Sequence, residues 1–161
     1  MMNAEPQPEH AWLQQLVGEW VTEMDACESE KTGEKVRGTE TVRSLGSLWI
    51  VGDGTGQMPD GSPANTQVTL GYDPAQQRFV GTWVGSMMTH MWVYSGSLDE
   101  SRKVLTLEAE GPDFSDPSKT GKYRDVVELH SRDHRTLTSY ALAEDGSWNQ
   151  FMTMHLYRKG S

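Results

Sequence analysis

The chain has 161 residues and a mass of 18.0 kDa, enough for one domain with a substantial core and too little for two. Its formal net charge of −9 repels phosphate backbones and anionic lipid surfaces, so neither a nucleic acid nor a membrane is an expected partner. Cys27 is the single cysteine and allows no intrachain disulfide, and no apolar run approaches the length of a membrane span.

Residues 1–8 read as a flexible, polar N-terminus without the basic and apolar parts of a signal peptide, so a soluble, cytoplasmic protein is expected. Residues 9–161 read as one domain. Pro8 and Glu9 open a short helix that runs through Val17, with Pro near its first position and an acid in its first turn. Leu13 and Val17, and likewise Trp12 and Leu16, stand four apart and form one apolar stripe. Gly18 suits the C-cap. So short a helix is not stable alone and has to pack on a larger body.

Strands follow. Trp20, Thr22, Met24 and Ala26 alternate with Val21, Glu23, Asp25 and Cys27, a period of two with the acids on one face. Further strands are expected near 35–45, 47–53, 65–72, 77–85, 90–98, 103–110, 121–131, 135–143 and 147–158. Turn signals such as Pro59-Asp60-Gly61, Tyr72-Asp73-Pro74 and Asp145-Gly146 separate them, and the longest irregular stretches fall around Gly54 to Pro63 and Gly111 to Gly121. Gly52-Asp53-Gly54-Thr55-Gly56 lacks dinucleotide-binding spacing and reads as a turn. About ten strands with short connections indicate an all-β, closed antiparallel up-and-down barrel with the helix over one end; a two-sheet sandwich is the rival.

Gly18-Glu19-Trp20 at the start and Arg158 at the end favour the barrel, because the guanidinium can lie over the indole where first and last strands meet. This pattern resembles the signature of the calycin superfamily, the lipocalins, fatty-acid-binding proteins and relatives. A fuller resemblance, to the domain-of-unknown-function family 1579, rests on His10 to Trp20 (HAWLQQLVGEW), Gly71 to Trp83 (GYDPAQQRFVGTW), TGKYRDVVEL around Gly121 and the terminal FMTMHLYRK. It implies the same barrel. Nitrobindins, a haem-holding calycin group, use a histidine near the chain end as axial ligand, which draws attention to His155. Their extended glycine-rich motif is absent after Trp20, and strand parity puts His155 on the face opposite Arg158, so no haem binding is expected.

A barrel of this size can enclose a cavity lined by alternate residues. With Trp20 and Arg158 inward, the same parity turns inward Met24, Phe79, Gly81, Trp83, His90, Trp92 and Tyr94, and Trp148, Gln150, Met152, Met154 and Leu156 on the last strand. Aromatic and methionine side chains with a few polar groups suit a small, partly apolar guest. Met24, Trp83, His90, Trp92, Tyr94 and Met152 are the expected ligand-binding residues, with His90 near the cavity mouth; Gly18, Trp20 and Arg158 are expected to close the barrel. The alternatives are an enzyme with His90 as acid or base, a haem-binding nitrobindin-like protein through His155, which strand parity disfavours, and a barrel simply filled by these side chains.

No catalytic residue pair and no metal site is read from the pattern, and the sequence leaves any cofactor open. His130 and His134 straddle a hairpin turn without an evident third ligand. Asp125 is the one carboxylate that departs from surface rows, and an arginine partner is its ordinary explanation. Cys27 falls on the acidic outward face, where Glu23 and Asp25 disfavour a thiolate. A homo-oligomer stays open.

Overall fold

The computed structural model describes residues 4–25, 35–58 and 60–160, so Cys27 lies outside the described residues. Helix α1 spans Pro8–Gln14. Ten strands follow: β1 Gly18–Asp25, β2 Lys35–Leu45, β3 Trp49–Gln57, β4 Pro63–Asp73, β5 Arg78–Gly85, β6 Trp92–Leu98, β7 Val104–Pro112, β8 Thr120–Ser131, β9 His134–Leu142 and β10 Trp148–Arg158. Each pairs antiparallel with its chain neighbours, and β1 pairs with β10, so the sheet closes on itself. In that closing ladder Trp20 faces Arg158 and Met24 faces Met154, as the barrel reading of the sequence requires. Among the described strands, closure leaves no edge for another chain to extend.

The helix ends three residues before its expected limit, and Gly18 opens β1 instead of capping α1. The cause lies in two side chains that fold back onto this segment, one from β1 and one from β10. Trp20 Nε1–H donates to the Leu16 carbonyl at 2.9 Å, and Arg158 donates from Nη2 to Gln15 O at 3.0 Å and from Nη1 to Val17 O at 2.8 Å. Carbonyls that a longer helix would leave bare are thus satisfied by the indole and the guanidinium. At the other end Gln7 and His10 form a capping box, and His10 Nε2 bonds the Tyr72 carbonyl at 2.9 Å, tying the helix to β4.

Alternation holds along most strands; besides a register shift between Leu129 and Ser131 at the β8–β9 turn, two features differ from the sequence reading. The glycine-rich segment expected to turn is part of β3. Gly52 and Gly54 sit on its inward row, where a Cβ at Gly52 would meet the Val68 side chain at 2.9 Å and one at Gly54 would run into Thr66. Glycine there marks crowding between strands, not a turn. The second feature is a bulge between Gln150 and Met152 that reverses the parity of β10. Trp148 consequently lies outside, under the Arg124 guanidinium at 4.0 Å, and Gln150 is exposed; Met152, Met154 and Leu156 keep their inward placement.

Apolar packing concentrates at the helix end. Trp12, Leu13 and Leu16 are buried against Ile50, Leu70 and Phe79, with Trp12 edge-on to Phe79 at 6.1 Å. Trp12 Nε1–H is accepted by Arg102 O at 2.6 Å, which fixes the helix over the β6–β7 turn. The helix therefore plugs this end of the barrel.

Candidate functional site

Above that plug the barrel is hollow. A cavity of about 490 Å³ runs from Leu16, Ile50 and Leu70 at the helix end toward the opposite end, where Met87, Met88, Phe114 and Phe151 line its mouth among the described residues. Phe114 and Phe151 are 61% and 52% exposed and meet edge-on at 5.5 Å, so the entrance is apolar and open to solvent.

The middle of the cavity is built by inward rows of adjacent strands. Trp83 on β5 and Trp92 on β6 are cross-strand partners, and Tyr94 continues the β6 row opposite Gly81. Trp92 stands edge-on to Tyr123 of β8 at 5.0 Å. Met24, Trp83, Trp92, Tyr94 and Met152 all line the cavity. His90 does not: it precedes β6, bonds the Glu110 carbonyl through Nε2 at 3.0 Å and stands edge-on to Trp92 at 4.7 Å. It stands beside Trp92 ahead of the strand, which begins only at Trp92, so the alternation of β6 does not reach back to residue 90.

Threonines and a few charged residues interrupt this apolar lining, and two hydrogen-bonded charged clusters stand out among them. Asp125, between Tyr123 and Val127 on the inward row of β8, accepts hydrogen bonds from the Tyr94 hydroxyl through Oδ2 and from the Ser139 hydroxyl through Oδ1, the latter at 2.6 Å. The expected arginine partner is thus replaced by two neutral hydroxyls. Burial holds the Tyr94 phenol well above its ordinary range, and the Asp125 charge and hydrogen bond push the same way. Tyr94 therefore stays protonated as a donor.

The second cluster is an ion pair near the helix end. Arg135 of β9 pairs with Glu40 of β2, both largely buried, and its guanidinium lies over the Trp20 ring at 4.7 Å. Arg158 covers the same indole at 4.3 Å. Trp20, 2% exposed, is thus in contact with two guanidinium groups as well as bonded to Leu16. Gly18 makes room for this arrangement: its φ is +142°, and a Cβ would run into Arg158 Nη1. Arg158 also bonds Arg132 O at 3.2 Å and pairs with Asp133 at 3.5 Å, so it joins helix, first strand, last strand and the β8–β9 turn.

On the outer wall His155 faces away from the cavity. It accepts or donates one hydrogen bond with His134 (Nε2 to Nδ1, 2.9 Å), and His134 stacks in turn on His130 at 4.8 Å and Tyr157 at 4.7 Å. The sequence reading paired His130 with His134 and set His155 on the outward face, but its proximity to His134 follows from the β9–β10 register alone. Among the described residues no group of three histidine, cysteine or acidic side chains is arranged to hold a metal ion. No described helix is long and apolar enough to cross a membrane.

Fold and cavity define a closed ten-stranded antiparallel barrel with an interior chamber and a helical plug. The chain belongs to the family described as "Protein of unknown function (DUF1579)", whose profile matches residues 5–158. A comparison with curated protein sequences finds no match. Among solved structures it is similar to Rv2717c from M. tuberculosis, at 13% identity and a TM-score of 0.58 over 96% of this chain and 99% of that one. It is similar also to the S-type phycobiliprotein lyase CPES from Guillardia theta, at 12% identity and a TM-score of 0.56 over 97% and 99%. Both likenesses concern the fold.

Proposed function

We propose that this protein is a non-enzymatic binder of a small, partly apolar molecule held inside the barrel. The observation that carries the reading is the cavity of about 490 Å³, which falls within the range of roughly 300–1,000 Å³ typical of small-molecule sites. Its wall is aromatic and methionine-rich, with Trp83, Trp92 and Tyr94 offering large rigid faces and Met24, Met152 and Met154 offering adaptable ones. The few polar groups, which would orient a guest, are fixed by hydrogen bonds within the wall. His90 bonds a backbone carbonyl away from the chamber, so an acid–base role there has little geometric support.

The test is a titration with an environment-sensitive apolar dye. Saturable binding at one dye per chain is expected. Met24→Trp, which fills part of the chamber from the inward row of β1, should weaken binding by about tenfold or more while the far-UV spectrum stays unchanged. Dye binding that is absent, or indifferent to Met24→Trp and to Trp92→Leu alike, would contradict the reading.

A further inference from the structure

Resting on the reading of the barrel as a small-molecule binder, we propose that the cavity selects guests carrying a protonated amine or a comparable cationic hydrogen-bond donor, and that Asp125 receives that group. Four charged residues contribute to the lining: Arg37, Glu40, Asp125 and Arg135. The Arg37 side chain is largely exposed and pairs with Glu23 on the outer face. Glu40 and Arg135 neutralise each other near the helix end. Among the described residues, Asp125 alone of these four has no ion-pair partner.

Its two hydrogen bonds come from hydroxyls, one to each carboxylate oxygen. A carboxylate offers about four lone-pair directions, so both oxygens keep acceptor capacity. Tyr94 and Ser139 hold the carboxylate in one orientation, and neither supplies positive charge. An unpaired carboxylate in an apolar enclosure is poorly solvated, and a cationic donor is the guest group that compensates it best. Aromatic faces close by reinforce the choice. Tyr123 is two residues away on the same inward row, packed against Trp92, and both suit a cation over a ring.

The same geometry disfavours a carboxylate guest. It would meet Asp125 as a like charge, and the inward cation that would receive it is already engaged by Glu40 and lies against Trp20. Arg135 Nε is buried without a hydrogen-bond partner, but that atom is sealed from solvent and not presented as a free donor. The chain's net charge of −9 adds a long-range field that favours cations over anions.

The experiment uses n-decylamine, 1-decanol and decanoate, which share one chain and differ in head group, each titrated at neutral pH below its aggregation limit and followed by tryptophan fluorescence. Wild-type protein should bind decylamine about tenfold or more tighter than 1-decanol, and decanoate weakest. In Asp125→Asn the amine advantage should fall to within about twofold while 1-decanol affinity holds. Should Asp125→Asn not fold, Asp125→Ser decides in its place, since it removes the charge and leaves a hydroxyl beside Tyr94 and Ser139. Decanoate binding as tightly as decylamine, or an amine advantage that survives removal of the Asp125 charge, overturns the proposal. If 1-decanol binds and the amine gains nothing, the amine assignment alone fails. If none of the three saturates, the binder reading itself fails.

Discussion

Trp20→Ala should be among the most damaging single substitutions in this protein, and its cost can be built from the contacts. Removing a buried tryptophan side chain costs about 3–5 kcal/mol in lost burial and residual cavity. The bond from Nε1–H to Leu16 O contributes about 1 kcal/mol net. The guanidinium groups of Arg135 and Arg158 over the ring add about 0.5–1 kcal/mol each. These contributions overlap, so a total of about 5 kcal/mol is expected, against a global stability on the order of 5–15 kcal/mol. Trp20→Phe keeps a ring between the arginines and loses the indole donor, and should cost about 2 kcal/mol. The assay is urea unfolding followed by far-UV circular dichroism. A double-mutant cycle with Arg158→Ala should return a coupling of about 0.5–2 kcal/mol. If Trp20→Ala costs less than about 2 kcal/mol, or couples with Arg158 by nothing measurable, the closure reasoning is refuted.

Gly18→Ala should cost about 1–3 kcal/mol, because the backbone is in a region that L side chains rarely adopt and the new methyl displaces Arg158; a neutral effect in urea unfolding would contradict that contact. The histidine ladder gives a pH prediction. Burial, then the charges of His130 and His155, hold His134 below its usual value of 6.5, so the unfolded chain takes up its proton first. Its contribution is therefore complete above about pH 6.5 and declines as pH falls below that point toward the lower folded value. Urea midpoints should drop on acidification in wild type and drop less in His134→Gln, and identical pH profiles would count against the stack. Tyr94→Phe should leave the cavity but loosen Asp125, lowering amine selectivity with little change in 1-decanol affinity in the same fluorescence titration.

The strands and their closure were legible because alternation and turn residues are local signals, and Gly18, Trp20 and Arg158 mark both ends of the ladder in sequence alone. Most of the aromatic wall followed from parity counted along single strands. The errors arose where parity breaks. The bulge between Gln150 and Met152 sends Trp148 outside, and β6 starts too late to turn His90 inward. Gly52 to Gly56 misled because glycine signals a turn by composition, whereas here it relieves crowding inside a strand. Polar pairings were the least visible. Arg135 and Glu40 are separated by 95 residues, and Tyr94 lies 31 from Asp125, distances that only the closed sheet collapses.

The central claim, a hollow barrel that holds a small guest, is tested most directly by native mass spectrometry of the full chain purified from its own organism. A population carrying one small molecule per chain, released on denaturation and displaced by decylamine, is expected. A spectrum showing the bare chain alone, from protein that also fails to bind decylamine, 1-decanol or the apolar dye saturably, would contradict it.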